Sequence, residues 1–164
     1  MRIIYNCYGG SHSSITAAAI HVGLLPETRV AKKEELLNVP YFDAQVAPDH
    51  GRIRFIGFDE YGNEVYITSK KNLGRQYESI MRQFIYLAGG NQEDFLFINT
   101  MAYVNFLMVI GGYTSRRLGL SLLGRPIVIR GTQLSYMKFV HLVRLVKNKF
   151  LKQNMEDRCE NCLP

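Results

Sequence analysis

"RIIYNCYGGSHSSITAAAIHVGLL", residues 2 to 25, decides the fold. The apolar run through residues 2 to 6 reads as a buried strand, Gly9 and Gly10 as a turn, and Ser13 to Leu25 as a helix that Pro26 ends. Ala17, Ala18 and Ala19 carry almost no side chain, so this helix can lie close against a sheet. In an open parallel sheet, the turn after the first strand opens onto the carboxyl rim, where ligands collect. The rest of the chain tests whether such a sheet exists.

"AKKEELLNVP" predicts a short helix stopped by Pro40, followed by the loop "PYFDAQVAPDHG". Residues 52–58 and 64–68 are rich in β-formers and flank "DEYGN", whose Gly62 and Asn63 tolerate positive φ, so a hairpin is predicted. Tyr77, Ile80, Met81, Phe84, Leu87 and Ala88 recur at intervals of three and four, an apolar helical stripe read as core and ended by Gly89 and Gly90. "DFLFIN" has the length and continuous apolarity of a buried strand, and residues 102–110 read as a helix. "PIVIR", residues 126–130, is read as a further buried strand, and residues 134–152 as a long helix with Tyr136, Phe139, Val140, Val143, Val146 and Phe150 inward. Buried strands alternating with helices predict an α/β three-layer sandwich: a mostly parallel central sheet, a phosphate-loop-like turn after strand 1 and a β-hairpin insertion. Residues 1–152 are expected to form a single domain, with 153–164 as a flexible tail.

The 164 residues suffice for one domain with a sizeable core, and 47% hydrophobic with 21% charged residues is ordinary for a globular protein. No apolar stretch approaches the roughly 20 residues of a membrane helix, and no leader is recognised, so no membrane partner and a cytoplasmic location are expected. The net charge of +6 is lopsided: residues 1–70 hold 7 Lys/Arg against 8 Asp/Glu, and residues 71–164 hold 13 against 6. The second half therefore favours anions, whether nucleotide, phosphorylated metabolite, RNA or an acidic protein, although a basic face can also serve solubility alone. Cys7, Cys159 and Cys162 are too few for a disulfide framework. The C-x-x-C of "RCENCLP" lacks the second ligand pair that zinc requires, so no metal site is expected and no cofactor is identified.

"CYGGSHSS", residues 7–14, carries the chemistry. Gly9 and Gly10 allow close backbone approach, the helix start offers unpaired amides and a positive dipole end, and the hydroxyls of Ser11, Ser13 and Ser14 flank His12. An anion is well served there, while the competing reading is a tight turn with a serine cap. The segment resembles the C-x5-R-S loop of low-molecular-weight tyrosine phosphatases and arsenate reductases, which implies a nucleophilic role for Cys7 and places Ser14 in the serine position. Ser13 stands where that family has arginine, a loss of several kcal/mol of transition-state stabilisation. The family's Asp-Pro-Tyr general acid is also missing, leaving Asp43 and Asp49 as stand-ins. A helix N-terminus with His12 beside it would still favour a reactive thiolate at Cys7. A fainter likeness to the Walker A loop matches only Ser14 of four signature residues, and "FLFIN" ends in Asn99 and Thr100 rather than a magnesium-steadying Asp.

A second polar cluster is "GGYTSRRLGLSLLGRPIVIRGTQ", residues 111–133, read as joining the last two strands. It places Thr114, Ser115, Arg116 and Arg117 at a helical turn near the rim, where arginine's planar fork suits phosphate or carboxylate. Alternatively, its four arginines pair with Asp59, Glu60 or Glu64 in a structural network. The three carboxylates of "FIGFDEYGNEVY" read as turn residues facing solvent more readily than as a metal or acid–base site. His21 and His141 read as surface or packed histidines, and His50 sits in a turn.

Together "IIYNCYGGSHSSITAAAIHVGLLP", "IGFDEYGNEVY" and the residue 111–133 segment resemble an uncharacterised family of spore-forming Gram-positive bacteria, domain-of-unknown-function family 3189. The likeness spans nearly the whole chain and implies a small bacterial protein without an assigned activity. Three functions stay open. The first is binding of a phosphorylated small molecule or nucleotide at Gly9, Gly10, Ser11, His12, Ser13 and Ser14, with Thr114, Ser115, Arg116 and Arg117 on the second side. The second is Cys7-dependent phosphoryl transfer, and the third is docking of nucleic acid or a protein on a basic C-terminal helix (Lys138, Arg144, Lys147, Lys149, Lys152).

Overall fold

In the computed structural model, residues 1–44 and 47–160 are described, with side chains of the last helix described up to residue 149. β1 (Arg2–Cys7) is one of the two inner strands of a four-stranded sheet ordered β2-β3-β1-β4, with β2 at Arg54–Phe58, β3 at Glu64–Ser69 and β4 at Phe95–Asn99. β1 runs parallel to both β3 and β4, pairing Tyr5 with Ile67 and with Ile98. The predicted hairpin is the antiparallel pair β2–β3, with an irregularity between Phe55 and Gly57. Successive parallel strands thus fall on opposite sides of β1, making its carboxyl end a topological switch point.

Alternation along β1 sends Ile3, Tyr5 and Cys7 to one face and Ile4 and Asn6 to the other. The first face carries the main core. On it α1 (Ser13–His21) lies against β1 and β3, and the long α5 (Ser121–Glu160) packs on α1 and on α4 (Phe106–Gly112). Ile15, Ile20, Val128, Tyr136, Phe139 and Val143 close this cluster, each large apolar side chain contributing about 1.5–3 kcal/mol by burial. Every residue of α1 is buried, as its alanine run foretold. It stops earlier than Leu25 because Gly23 takes φ +75° and turns the chain. The short α2 (Lys33–Asn38) forms where predicted.

On the other face α3 (Gln76–Leu87) stands over a small cluster of Ile4, Tyr77 and Phe97, joined by Met81 and Ile85. The stripe read as core is only partly so: Tyr77 is buried, whereas Phe84 and Leu87 are 63% and 78% exposed. A single helix over two or three strands buries one edge of its apolar face, and no second helix covers the remainder among the described residues.

"PIVIR" is not a strand. Residues 126–130 lie inside α5, which takes in the helix read from residue 134 onward. An apolar run this short has no periodicity to separate strand from buried helix. Glycine spacing supplies the discriminating signal, because Gly111, Gly124 and Gly131 all sit where α4 and α5 cross. A Cβ on Gly131 would lie 2.7 Å from the Met108 amide, and one on Gly111 or Gly124 would strike the backbone of Val128 or Ser115. The helix read at residues 102–110 is likewise divided, a 3-10 turn at Met101–Tyr103 preceding α4, whose start is capped by Asn105 accepting from the Met108 amide at 3.0 Å. α5 continues to Glu160, and the side chains of Phe150, Lys152 and Cys159, with Cys162 itself, lie outside the described residues. No described helix is long and apolar enough to cross a membrane.

Candidate anion-binding site

Because α1 is buried on all sides, its polar side chains depend on partners within the protein, which Ser13, Ser14 and His21 find and Thr16 Oγ1 does not among the described residues. Ser13 Oγ accepts from the Thr100 hydroxyl at 2.9 Å, and the Thr100 amide donates to the Asn6 carbonyl at 3.0 Å. Ser14 Oγ lies 3.2 Å from Cys7 Sγ. His21 sits between the Tyr5 hydroxyl at 2.7 Å and Asp59 at 3.2 Å, a packed histidine as expected. The hydroxyls of Ser13 and Ser14 therefore face inward, not toward a ligand.

The loop folds around Cys7. The Gly10 amide donates to Cys7 Sγ at 3.0 Å with Gly10 at φ +71°, and Cys7 itself is 5% exposed. Ser11 Oγ reaches only the Gly9 carbonyl, at 3.4 Å. No side chain caps α1, and the amides of Ser11, His12, Ser13 and Ser14 make no hydrogen bond to the described chain. Four such donors at one helix start form the arrangement in which anions are stabilised.

Around the loop stands a cluster that sequence reading assembled only in part. Asp43, with a side chain wholly buried, accepts from Ser115 Oγ at 2.9 Å and pairs with His12 Nε2 at 3.0 Å, Arg116 Nε at 3.1 Å and Arg125 Nε at 2.9 Å. Its own amide donates to the Ser11 carbonyl, so the residue 39–44 turn is tied to the loop at two points. Gly112 makes room for the His12 ring, which a Cβ there would approach to 3.2 Å. Two of the four arginines, Arg116 and Arg125, thus find their carboxylate in Asp43, and none pairs with Asp59, Glu60 or Glu64 among the described residues. Asp59 instead caps its own turn through the amides of Tyr61 and Asn63, Glu60 pairs with Lys147, and Glu64 with Arg2.

Burial alone would raise the Asp43 carboxyl, but hydrogen bonds from His12, Arg125 and Ser115 outweigh it and hold the group at about 2. It is therefore an ion throughout the physiological range and no general acid. The other stand-in, Asp49, is engaged by Arg54 at 2.6 Å.

Arg117 lies over the Tyr113 ring and repels Lys71, whose ammonium sits 4.9 Å from the Tyr8 ring centroid. Lys71 donates its amide to the Tyr8 carbonyl and adopts φ +45°. Arg117, Lys71 and two exposed tyrosines thereby gather beside the loop. Thr114 is half-buried in the π-helical turn Tyr113–Arg117 that presents these arginines. Lys71 escaped the sequence reading, and Asp43 was named there only as a stand-in acid. The usable signal for Lys71 was its place just past the carboxyl end of a parallel strand, whereas nothing in the irregular loop around Asp43 marked it as the centre of an ion-pair cluster.

The basic helix is partly engaged within the protein: Lys147 bridges Glu27 and Glu60, and Arg144 donates to the Glu27 carbonyl. Among the described residues no cluster of three His, Cys, Asp or Glu side chains could hold a metal.

Two ionisations make the fold acid-sensitive. Burial lowers the His21 pKa, with Asp59 opposing, so the unfolded chain takes up this proton first and stability is lost as pH falls below the usual 6.5. Asp43, at about 2 against 3.8 unfolded, contributes fully above about pH 4 and loses roughly 2 kcal/mol on the way down to pH 2. Urea midpoints are expected to fall in these two windows, with His21→Gln removing the upper step. A midpoint flat from pH 7 to pH 2 would contradict both assignments.

No curated protein and no solved structure matches the chain. The model of one family covers residues 2–148, nearly all of the sheet and helices just described, and the chain belongs to that family, protein of unknown function DUF3189.

Proposed function

We propose that the protein binds a phosphorylated small molecule or nucleotide at the loop Gly9–Ser14. The observation that carries this is the uncapped start of α1, where the amides of Ser11 to Ser14 lack partners in the described chain. Lys71 and Arg117 supply positive charge beside them, and Tyr8 and Tyr113 offer exposed aromatic faces to the remainder of the ligand. Arg116 acts through Asp43, steadying the loop via His12, and does not reach outward as a free clamp. Strain supports the same place. Two of the three non-glycine residues with positive φ among the described residues, Asp43 and Lys71, border this loop, and such conformations persist where the surroundings impose them.

Phosphoryl transfer through Cys7 is favoured by one observation, the Cys7–Ser14 contact that a C-x5-R-S loop would make. Against it, Ser13 is bound to Thr100 in place of an arginine, and both candidate acids are ion-paired. Calorimetric titration with nucleotides and sugar phosphates separates the readings. Gly10→Val, which forces a branched side chain into φ +71°, is expected to weaken binding at least 10-fold, while Cys7→Ser retains it. Equal affinity for both variants and the parent would remove the loop from the site. Turnover of a phosphate ester that Cys7→Ser abolishes would install the enzyme reading instead.

A further inference from the structure

On the opposite face of β1 from the Cys7 loop lies a cavity of about 60 Å³ lined by Asn6, Lys70, Gly74, Arg75, Tyr77, Glu78 and Asn99. Three carboxyl strand ends meet there: Asn6 closes β1, Lys70 follows β3 and Asn99 ends β4. α3 begins at its edge, with Arg75 in the capping position and no side-chain cap.

Its polar walls are incompletely satisfied. Lys70 is 7% exposed and Asn6 3% exposed, and neither side chain hydrogen-bonds or pairs with a carboxylate among the described residues. Tyr77 adds a buried hydroxyl beside Thr68 that forms no well-aligned hydrogen bond. Glu78, the carboxylate of the lining, is neutralised by Arg82 through two contacts of 2.9 and 3.0 Å. A buried ammonium without a counter-charge is costly, and the cost is relieved either by losing the proton or by gaining an anion. Burial does pull the Lys70 pKa down, with Cys7 opposing.

We propose that this cavity is a binding site for a small oxyanion, a phosphate or carboxylate group, held by Lys70, the Asn6 amide, Arg75 and the start of α3. The volume suits one compact anion with little water, and the donors come from two strand ends and one helix start. The site stands independently of the α1 loop, which lies across the sheet. Where one ligand reaches both, β1 would separate its two charged ends.

Inorganic phosphate and acetate, each against chloride at equal ionic strength, test the proposal in two-dimensional NMR of the isotope-labelled chain. Resonances of the Asn6 side-chain amide and of Lys70, Arg75 and Tyr77 are expected to shift with roughly millimolar affinity for one or both anions. Lys70→Met should weaken this at least 10-fold. Arg75→Glu, an exposed change that does not threaten the fold, should also weaken it, and Gly10→Val should leave it intact. The cavity site is overturned if neither anion moves these resonances beyond chloride. It is equally overturned if Arg75→Glu binds as the parent does, or if Gly10→Val abolishes the shifts while the fold persists. Loss of the α1 loop site alone would leave the cavity shifts in place, so the two proposals fail separately.

Discussion

Asp43→Asn is expected to lower the unfolding free energy by about 3–5 kcal/mol, the range seen when one partner of a buried ion network is removed. The substitution keeps size and tolerance of the positive φ of 48°, so the loss isolates the charge. Arg116 and Arg125 would be left beside a neutral amide, together with the His12 ring and the Ser115 hydroxyl that now converge on the carboxylate. Arg116→Gln should cost less, because Arg125, His12 and Ser115 still hold Asp43. The double variant should fall short of the sum, since the two side chains share one interaction. Urea denaturation at pH 7 measures all three. A loss under 1 kcal/mol for Asp43→Asn would mean the cluster is solvated in solution and does not steady the loop. Crystals or NMR of the same variant should also show the residue 39–44 turn released from Ser11.

Gly124→Val should unfold the protein or cost well over 3 kcal/mol, beyond ordinary overpacking. The added atoms would fall on the Ser115 amide and Gly111 carbonyl, both backbone, so no rotamer change relieves the clash. α4 and α5 would have to part, taking Ser115 away from Asp43 and spreading the damage to the candidate site. Gly111→Val should behave alike, its Cβ striking Val128. Gly9→Ala is the control: a Cβ there meets nothing within 4 Å, so a change within about 0.5 kcal/mol is expected. Thermal melts that rank Gly124→Val with Gly9→Ala would refute the close crossing of the two helices.

Local pattern alone was enough for the part of the chain where one strand, one turn and one helix follow each other closely. The run from Arg2 to Cys7, the glycine turn and the alanine-rich α1 could be read directly, because a continuous apolar run, two glycines and three alanines each admit few conformations. The hairpin was equally legible from Gly62 and Asn63, and β4 from "FLFIN". Clustering of small polar residues in "CYGGSHSS" drew the eye to the loop, and the structure brings Arg116 to the Asp43 carboxylate that also holds His12.

Long-range packing decided the rest. Whether "PIVIR" forms strand or helix depended on α4 lying across it, and only the glycines at positions 111, 124 and 131 permit that approach. The apolar stripe of α3 fixed its period but not its burial, since burial requires a neighbour that no periodicity announces. Asp43, 32 residues after Ser11, became the centre of the cluster through a residue 39–44 turn whose course no motif dictates.

What the order of residues determined by itself was the conformation of β1, the glycine turn, α1, the β2–β3 hairpin and β4, and the placing of a helix start directly behind β1. Tertiary structure alone decided which charges meet: that Arg116 and Arg125 face Asp43, and that Lys70 is shut in beside Asn6 with no carboxylate partner among the described residues. The reason is physical. Backbone preference is set by neighbours a few residues away, whereas the free energy of a charge depends on whatever the fold brings within a few ångströms of it.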